Sequence, residues 1–80
     1  MKQLYLYTTS GCHLCEMAEE ILVTLAAEGV IQWLPVEISD SDELVDRYGV
    51  HIPVVRSEQH DQEIGWPFSR QKLKQWAAGM

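Results

Sequence analysis

Within its first 38 residues this chain changes hydrophobic period twice, and that change restricts the fold more than any other feature of the sequence. Lys2 to Tyr7 alternates polar and apolar side chains before a tyrosine-rich end, the habit of a strand. Beyond the turn Thr8–Gly11, the apolar residues Leu14, Met17, Ala18, Ile21, Leu22 and Leu25 recur at helical spacing, with Glu16, Glu19, Glu20 and Glu28 facing away. Gly29 is placed to close that helix. Val30 to Ile38 returns to β-rich residues around Pro35, whose missing N–H assigns the segment to a sheet edge. Strand, helix and strand in succession predict two parallel strands joined by a right-handed crossover.

The second half has a different order. Ser39-Asp40-Ser41-Asp42-Glu43 supplies helix N-caps and first-turn acids, predicting a two-turn helix over Asp42–Tyr48 with Leu44, Val45 and Tyr48 inward and Gly49 after it. Val50 to Arg56 reads as a strand around Pro53, and Glu63 to Gly65 as a short fourth strand after the polar turn Ser57–Gln62. Ser69 then caps a last helix through Ala78, with Leu73, Trp76 and Ala77 on its inner face. The expected architecture is α/β: a mixed four-stranded sheet with three helices over both faces, in the order βαβαββα. One domain over residues 1–80 accounts for the whole length, and 46% hydrophobic residues suit a folded globule.

Charge removes several functions. A net charge of −6 with only six Lys and Arg argues against nucleic acid as a partner, since phosphate binding depends on those residues. Asp40, Asp42, Glu43 and Asp46 read as a solvated acidic face. The amino-terminal residues are too polar for a signal-peptide core and no run has transmembrane length, so a cytoplasmic monomer without a membrane partner is expected.

The chemistry concentrates in Thr9-Ser10-Gly11-Cys12-His13-Leu14-Cys15, which holds both cysteines of the chain. In a reducing compartment such a pair is catalytic or metal-binding. At the start of a helix, unpaired N–H groups and the macrodipole favour an anion, so Cys12 is the expected nucleophile and should ionise below Cys15, the resolving thiol one turn on. His13 is either a modulator that adds positive charge when protonated or a bland exposed residue. Tyr7 either lines the site edge or packs inward, and Trp66 either walls the substrate or packs as Trp33 and Trp76 do. The pair also has the spacing of half a zinc site, but no second half exists in the sequence and no metal is expected.

Three segments resemble small glutaredoxin-like proteins of the thioredoxin superfamily. They are Leu4 to Cys15, a strand ending in Tyr before Cys-x-x-Cys; Arg47 to Val55, which looks like the segment that delivers the family's cis-proline; and Gly65-Trp66-Pro67-Phe68 before a terminal helix. The resemblance implies a thioredoxin-like fold and a thiol-disulfide oxidoreductase acting on a disulfide-containing protein or small molecule. It implies that Pro53 is cis, with the Ile52 backbone pairing with an extended substrate beside Cys12. No cofactor would be tightly bound. The reductant would be glutathione or a thioredoxin-reductase-type enzyme. The chain departs from the family in two places: His13-Leu14 stands where glutaredoxins carry Pro-Tyr, and Gly65-Trp66-Pro67-Phe68 replaces the Gly-Gly turn and following acid that bind glutathione. Redox potential therefore does not transfer, and the resemblance leaves glutathione dependence open. The rival readings are a non-catalytic binding or redox-sensing module on the same fold, and an iron–sulfur cluster bridging a dimer.

Overall fold

Leu4 and Leu6 point one way from the first strand and Tyr5 and Tyr7 the other, and the two faces they define are covered differently. The computed structural model describes residues 2–79. In chain order its elements are β1 (Lys2–Thr8), α1 (His13–Ala27), β2 (Ile31–Glu37), a single 3-10 turn (Ile38–Asp40), α2 (Asp42–Tyr48), β3 (Val54–Ser57), β4 (Glu63–Gly65) and α3 (Arg70–Ala78). The sheet order is β2-β1-β3-β4. β1 runs parallel to β2, with Thr8 opposite Glu37, and antiparallel to β3, with Tyr7 opposite Val54; β3 and β4 form an antiparallel hairpin. Pro35 lies on the edge strand, where a missing donor costs least.

The larger core lies under α1 and α3. Leu4 and Leu6 of β1 and Val55 of β3 meet Ala18, Leu22 and Leu25 of α1 and Leu73 and Ala77 of α3, all fully buried. Each leucine so buried is worth about 1.5–3 kcal/mol of transfer free energy. The smaller core lies on the other face, where Tyr7 and Val54 pack with Ile38 and Tyr48. Here the aromatic rings of Tyr7 and Tyr48 stack at 4.3 Å between centroids.

Local chemistry sets the ends of the helices. Ser41 Oγ accepts the Leu44 N–H at 3.3 Å and Ser69 Oγ the Lys72 N–H at 3.0 Å, each satisfying a donor that the helix leaves unpaired. After α1, Gly29 has a φ of 78°, the left-handed conformation that glycine adopts without a Cβ penalty, and the Gly29 and Val30 N–H groups bond back to Ala26 and Leu25.

The structure differs from the sequence reading in three places. The inward stripe of α1 begins with Cys15, not Leu14: Cys15, Ala18, Leu22 and Leu25 are the buried residues, and Leu14 and Met17, beside that stripe, are 45% and 41% exposed. Val45 likewise faces solvent, leaving Leu44 and Tyr48 as the inner side of α2. β3 starts at Val54 instead of Val50. The His51 and Ile52 N–H groups both donate to the Tyr48 carbonyl, at 2.8 and 3.1 Å, and Pro53 has no N–H, so three successive residues have no donor left for a ladder.

Candidate active site

A strand that ends at Thr8 and a helix that begins at His13 leave four residues to turn the chain, and the fourth is Cys12. Gly11 makes the turn with a φ of 79°, a conformation that strains any residue with a side chain. Cys12 follows in extended conformation as the N-cap of α1, its carbonyl accepting the Glu16 N–H at 3.1 Å and its Sγ accepting the Cys15 N–H at 3.2 Å. The sulfur thus occupies the position that Ser41 and Ser69 oxygens hold in the other helices.

Cys12 and Cys15 are joined as a disulfide, with Cα atoms 5.2 Å apart. Cys12 is half-buried and Cys15 only 2% exposed. An external group therefore reaches one sulfur of the bond.

The pair opens on a groove of about 360 Å³ formed by Thr8 to Gly11, the first turns of α1 and the end of β2. Three carboxylates line it: Glu16, Glu19 and Glu37. Among the described residues no Lys or Arg does. Glu37 is the residue that sequence reasoning missed. One of its oxygens accepts the Ser10 N–H at 3.1 Å and the other the Ser39 N–H at 3.2 Å. The Thr9 hydroxyl, and after it the Ser39 N–H, hold this carboxyl below its ordinary value. A signal was present: the carboxyl ends of adjacent parallel strands lie side by side, so a residue closing β2 falls next to the turn that follows β1.

The other expected site residues are not in that lining. His13 is exposed, and its Nδ1 lies 3.7 Å from Glu16 Oε2, directed toward a carboxylate. Tyr7 is only 6% exposed in its stack with Tyr48, a packing position in the smaller core. The Ile52–Pro53 bond is cis and Pro53 is buried. The Ile52 N–H donates to the Tyr48 carbonyl at 3.1 Å, which leaves the Ile52 carbonyl as the other backbone group beside Pro53. Trp66 is half-buried against the larger core and edge-on to Phe68, with ring centroids 5.1 Å apart. The Trp66 backbone N–H donates to the Pro53 carbonyl at 3.1 Å, and the Trp66–Pro67 bond is also cis.

Tyr48 reaches across to Glu63, its hydroxyl donating to the carboxylate, and burial followed by that bond pushes its phenol well above the usual range. Among the described residues no group of three His, Cys, Asp or Glu side chains is placed to hold a metal ion, and no helix is long and apolar enough to cross a membrane.

Comparison with known proteins gives a consistent result. The family described as glutaredoxin-like domain (DUF836) matches residues 3–78. The chain is similar to the structural genomics target protein XcR50 from X. campestris: its X-ray structure superposes with a TM-score of 0.83 at 34% identity, covering 96% of this chain and 97% of that one. The solution structure of the same protein gives 0.82 at 34% identity, over 100% and 96%. The oxidized form of mitochondrial thioredoxin 3 from Saccharomyces cerevisiae superposes at 0.66 with 16% identity, over 99% of this chain and 78% of that one, a likeness of fold alone. No curated protein matches.

Proposed function

The chain belongs to the glutaredoxin-like domain (DUF836) family and has the thioredoxin-like fold, and from that premise we propose that it is a thiol-disulfide oxidoreductase working through Cys12 and Cys15. The observation that supports this best is the asymmetry of the pair: an accessible sulfur capping α1 and a buried one a single turn along. A pure scaffold has no need of that second sulfur.

In the reducing direction, the Cys12 thiolate attacks one sulfur of a substrate disulfide. A new S–S bond forms to Cys12, the substrate bond breaks, and one substrate thiolate leaves. Cys15, as its thiolate, then attacks Cys12 Sγ and expels the second substrate thiolate. The two protons released by the cysteines end on the two product thiols. Two electrons pass to the substrate, and the protein is left in the disulfide form. Return requires a reductant, either two molecules of glutathione or the dithiol of a thioredoxin-reductase-type enzyme. Of the backbone beside Pro53, the Ile52 carbonyl is the group we assign to an extended substrate, because the N–H is engaged. Tyr7 and Trp66 then support the site from behind, Trp66 by holding Pro53. No tightly bound cofactor takes part, and the cycle suits a reducing compartment.

The test is reduction of a small neutral disulfide by the full chain with each reductant in turn. Wild type should turn over, Cys12→Ser should be inactive, and Cys15→Ser, mixed with substrate before any reductant is added, should stall as a mixed disulfide with its partner. An inactive wild type with both reductants would leave a binding or redox-sensing module in its place.

A further inference from the structure

Glu37 takes no part in the exchange chemistry, yet its carboxylate joins the two segments that leave the parallel strands. Oε1 accepts from Ser10, two residues before Cys12, and Oε2 accepts from Ser39, in the turn that follows β2. Between the clamped Ser10 N–H and the cap residue stands only Gly11, in left-handed conformation. Both oxygens are thus committed to backbone donors. The same side chain lines the groove that holds both sulfurs.

We infer that Glu37 is a positioning residue for the Cys12–Cys15 pair, fixing the Thr9–Gly11 turn so that Cys12 Sγ stays on the N–H groups at the head of α1. The inference rests on the redox reading of the pair. In the neutral thiol, sulfur is a weak acceptor, so before Cys12 ionises the bond from the Cys15 N–H holds the cap less firmly than the serine caps hold α2 and α3. The carboxylate supplies the missing restraint from outside the helix. It is also kept ionised, by the Thr9 hydroxyl and the Ser39 N–H, and a negative charge in the same groove opposes a thiolate. Glu37 therefore acts on Cys12 with two opposite signs: the restraint favours the thiolate and the charge disfavours it.

Substitution separates the two. Glu37→Gln removes the charge and the acceptor for Ser39 but keeps an amide oxygen for Ser10, the bond next to Cys12; Glu37→Ala removes the charge and both acceptors; Glu37→Asp keeps the charge but withdraws the acceptors by one methylene. Glu16 and Glu19, which share the groove, and the neighbouring His13 stay constant throughout. The measurement is the rate of alkylation of Cys12 by iodoacetamide in the reduced full chain across pH, located by peptide mapping, with thermal melts of each variant alongside. The midpoint of Glu37→Ala should lie above that of Glu37→Gln, with alkylation at neutral pH roughly 3-fold slower in the alanine variant. Coincident midpoints for Gln and Ala would overturn the positioning role and leave charge alone. Should Glu37→Ala fail to fold, Glu37→Asp carries the same decision: a midpoint above wild type supports the restraint, and one equal to wild type overturns it. Alkylation needs no turnover, so an error in the redox reading shows separately, as a wild type that alkylates but does not exchange disulfides.

Discussion

The starts of α1 and α3 are built to the same plan and serve different ends. In each, a residue in extended conformation closes the first turn with its side chain, Cys12 onto the Cys15 N–H and Ser69 onto the Lys72 N–H. Ser69 is exposed, an oxygen does the capping, and Arg70 and Lys72 open the helix against its dipole, so the cap carries the stabilisation alone. At α1 the capping atom is sulfur, Glu16 in the first turn complements the dipole, and Glu37 braces the incoming turn. The comparison teaches that a helix can start on a sulfur cap in place of an oxygen cap when other groups, here Glu16 and Glu37, act on the same turn.

The largest effect expected from that comparison falls on activity. Cys12→Ser should abolish disulfide exchange, since a hydroxyl does not replace the thiolate, while restoring an oxygen cap that leaves the variant at least as stable as the reduced wild type in urea. A clear loss of stability would mean that sulfur was not serving as the cap. Ser69→Ala should show the converse: a loss of about 1 kcal/mol in unfolding free energy with exchange unchanged. Lost exchange would show that α3 reaches the site in a way its capping does not explain.

A smaller effect should appear with pH. Because the folded pKa of Glu37 is depressed, the stability it adds is complete above the unfolded value, near ~4.3, and disappears as pH falls through the lower folded value. Urea midpoints of wild type and Glu37→Gln should therefore differ at neutral pH and converge in acid. A gap that persists or widens in acid would contradict the assignment. The smallest effect concerns encounter. With Glu16, Glu19 and Glu37 around Cys12, a cationic peptide disulfide should react roughly 3–10-fold faster than an anionic one at low salt, the ratio shrinking as ionic strength rises. Equal rates at low salt would show that those carboxylates do not steer partners.

What the sequence revealed divides along a physical line. The bounds of α2, β4 and α3 follow from caps and periodicity, which are local, and the edge position of β2 follows from Pro35. The disulfide pair was legible from spacing and from its place between a strand and a helix. Features that depend on which strands become neighbours were not. Glu37 gains its place only when β2 lies beside β1, and which of the apolar residues near the start of α1 are buried, Cys15 and Ala18 but not Leu14 and Met17, is set by what packs against the helix. Tyr7 was read two ways, and its partner Tyr48 arrives from a distant helix. β3 was read too long because nothing in its composition shows that the Tyr48 carbonyl claims two of its N–H groups.

The burial of Cys15 has a consequence for timing. In the proposed cycle, capture of a partner on Cys12 is an encounter between two molecules and quickens with concentration. Release by Cys15 is an event within one molecule, waiting only on a sulfur that the interior keeps 2% exposed to come into line with its neighbour. For exchange through this pair, then, the bulk solution governs how often a partner is caught, and the packing beneath α1 governs how long it is kept.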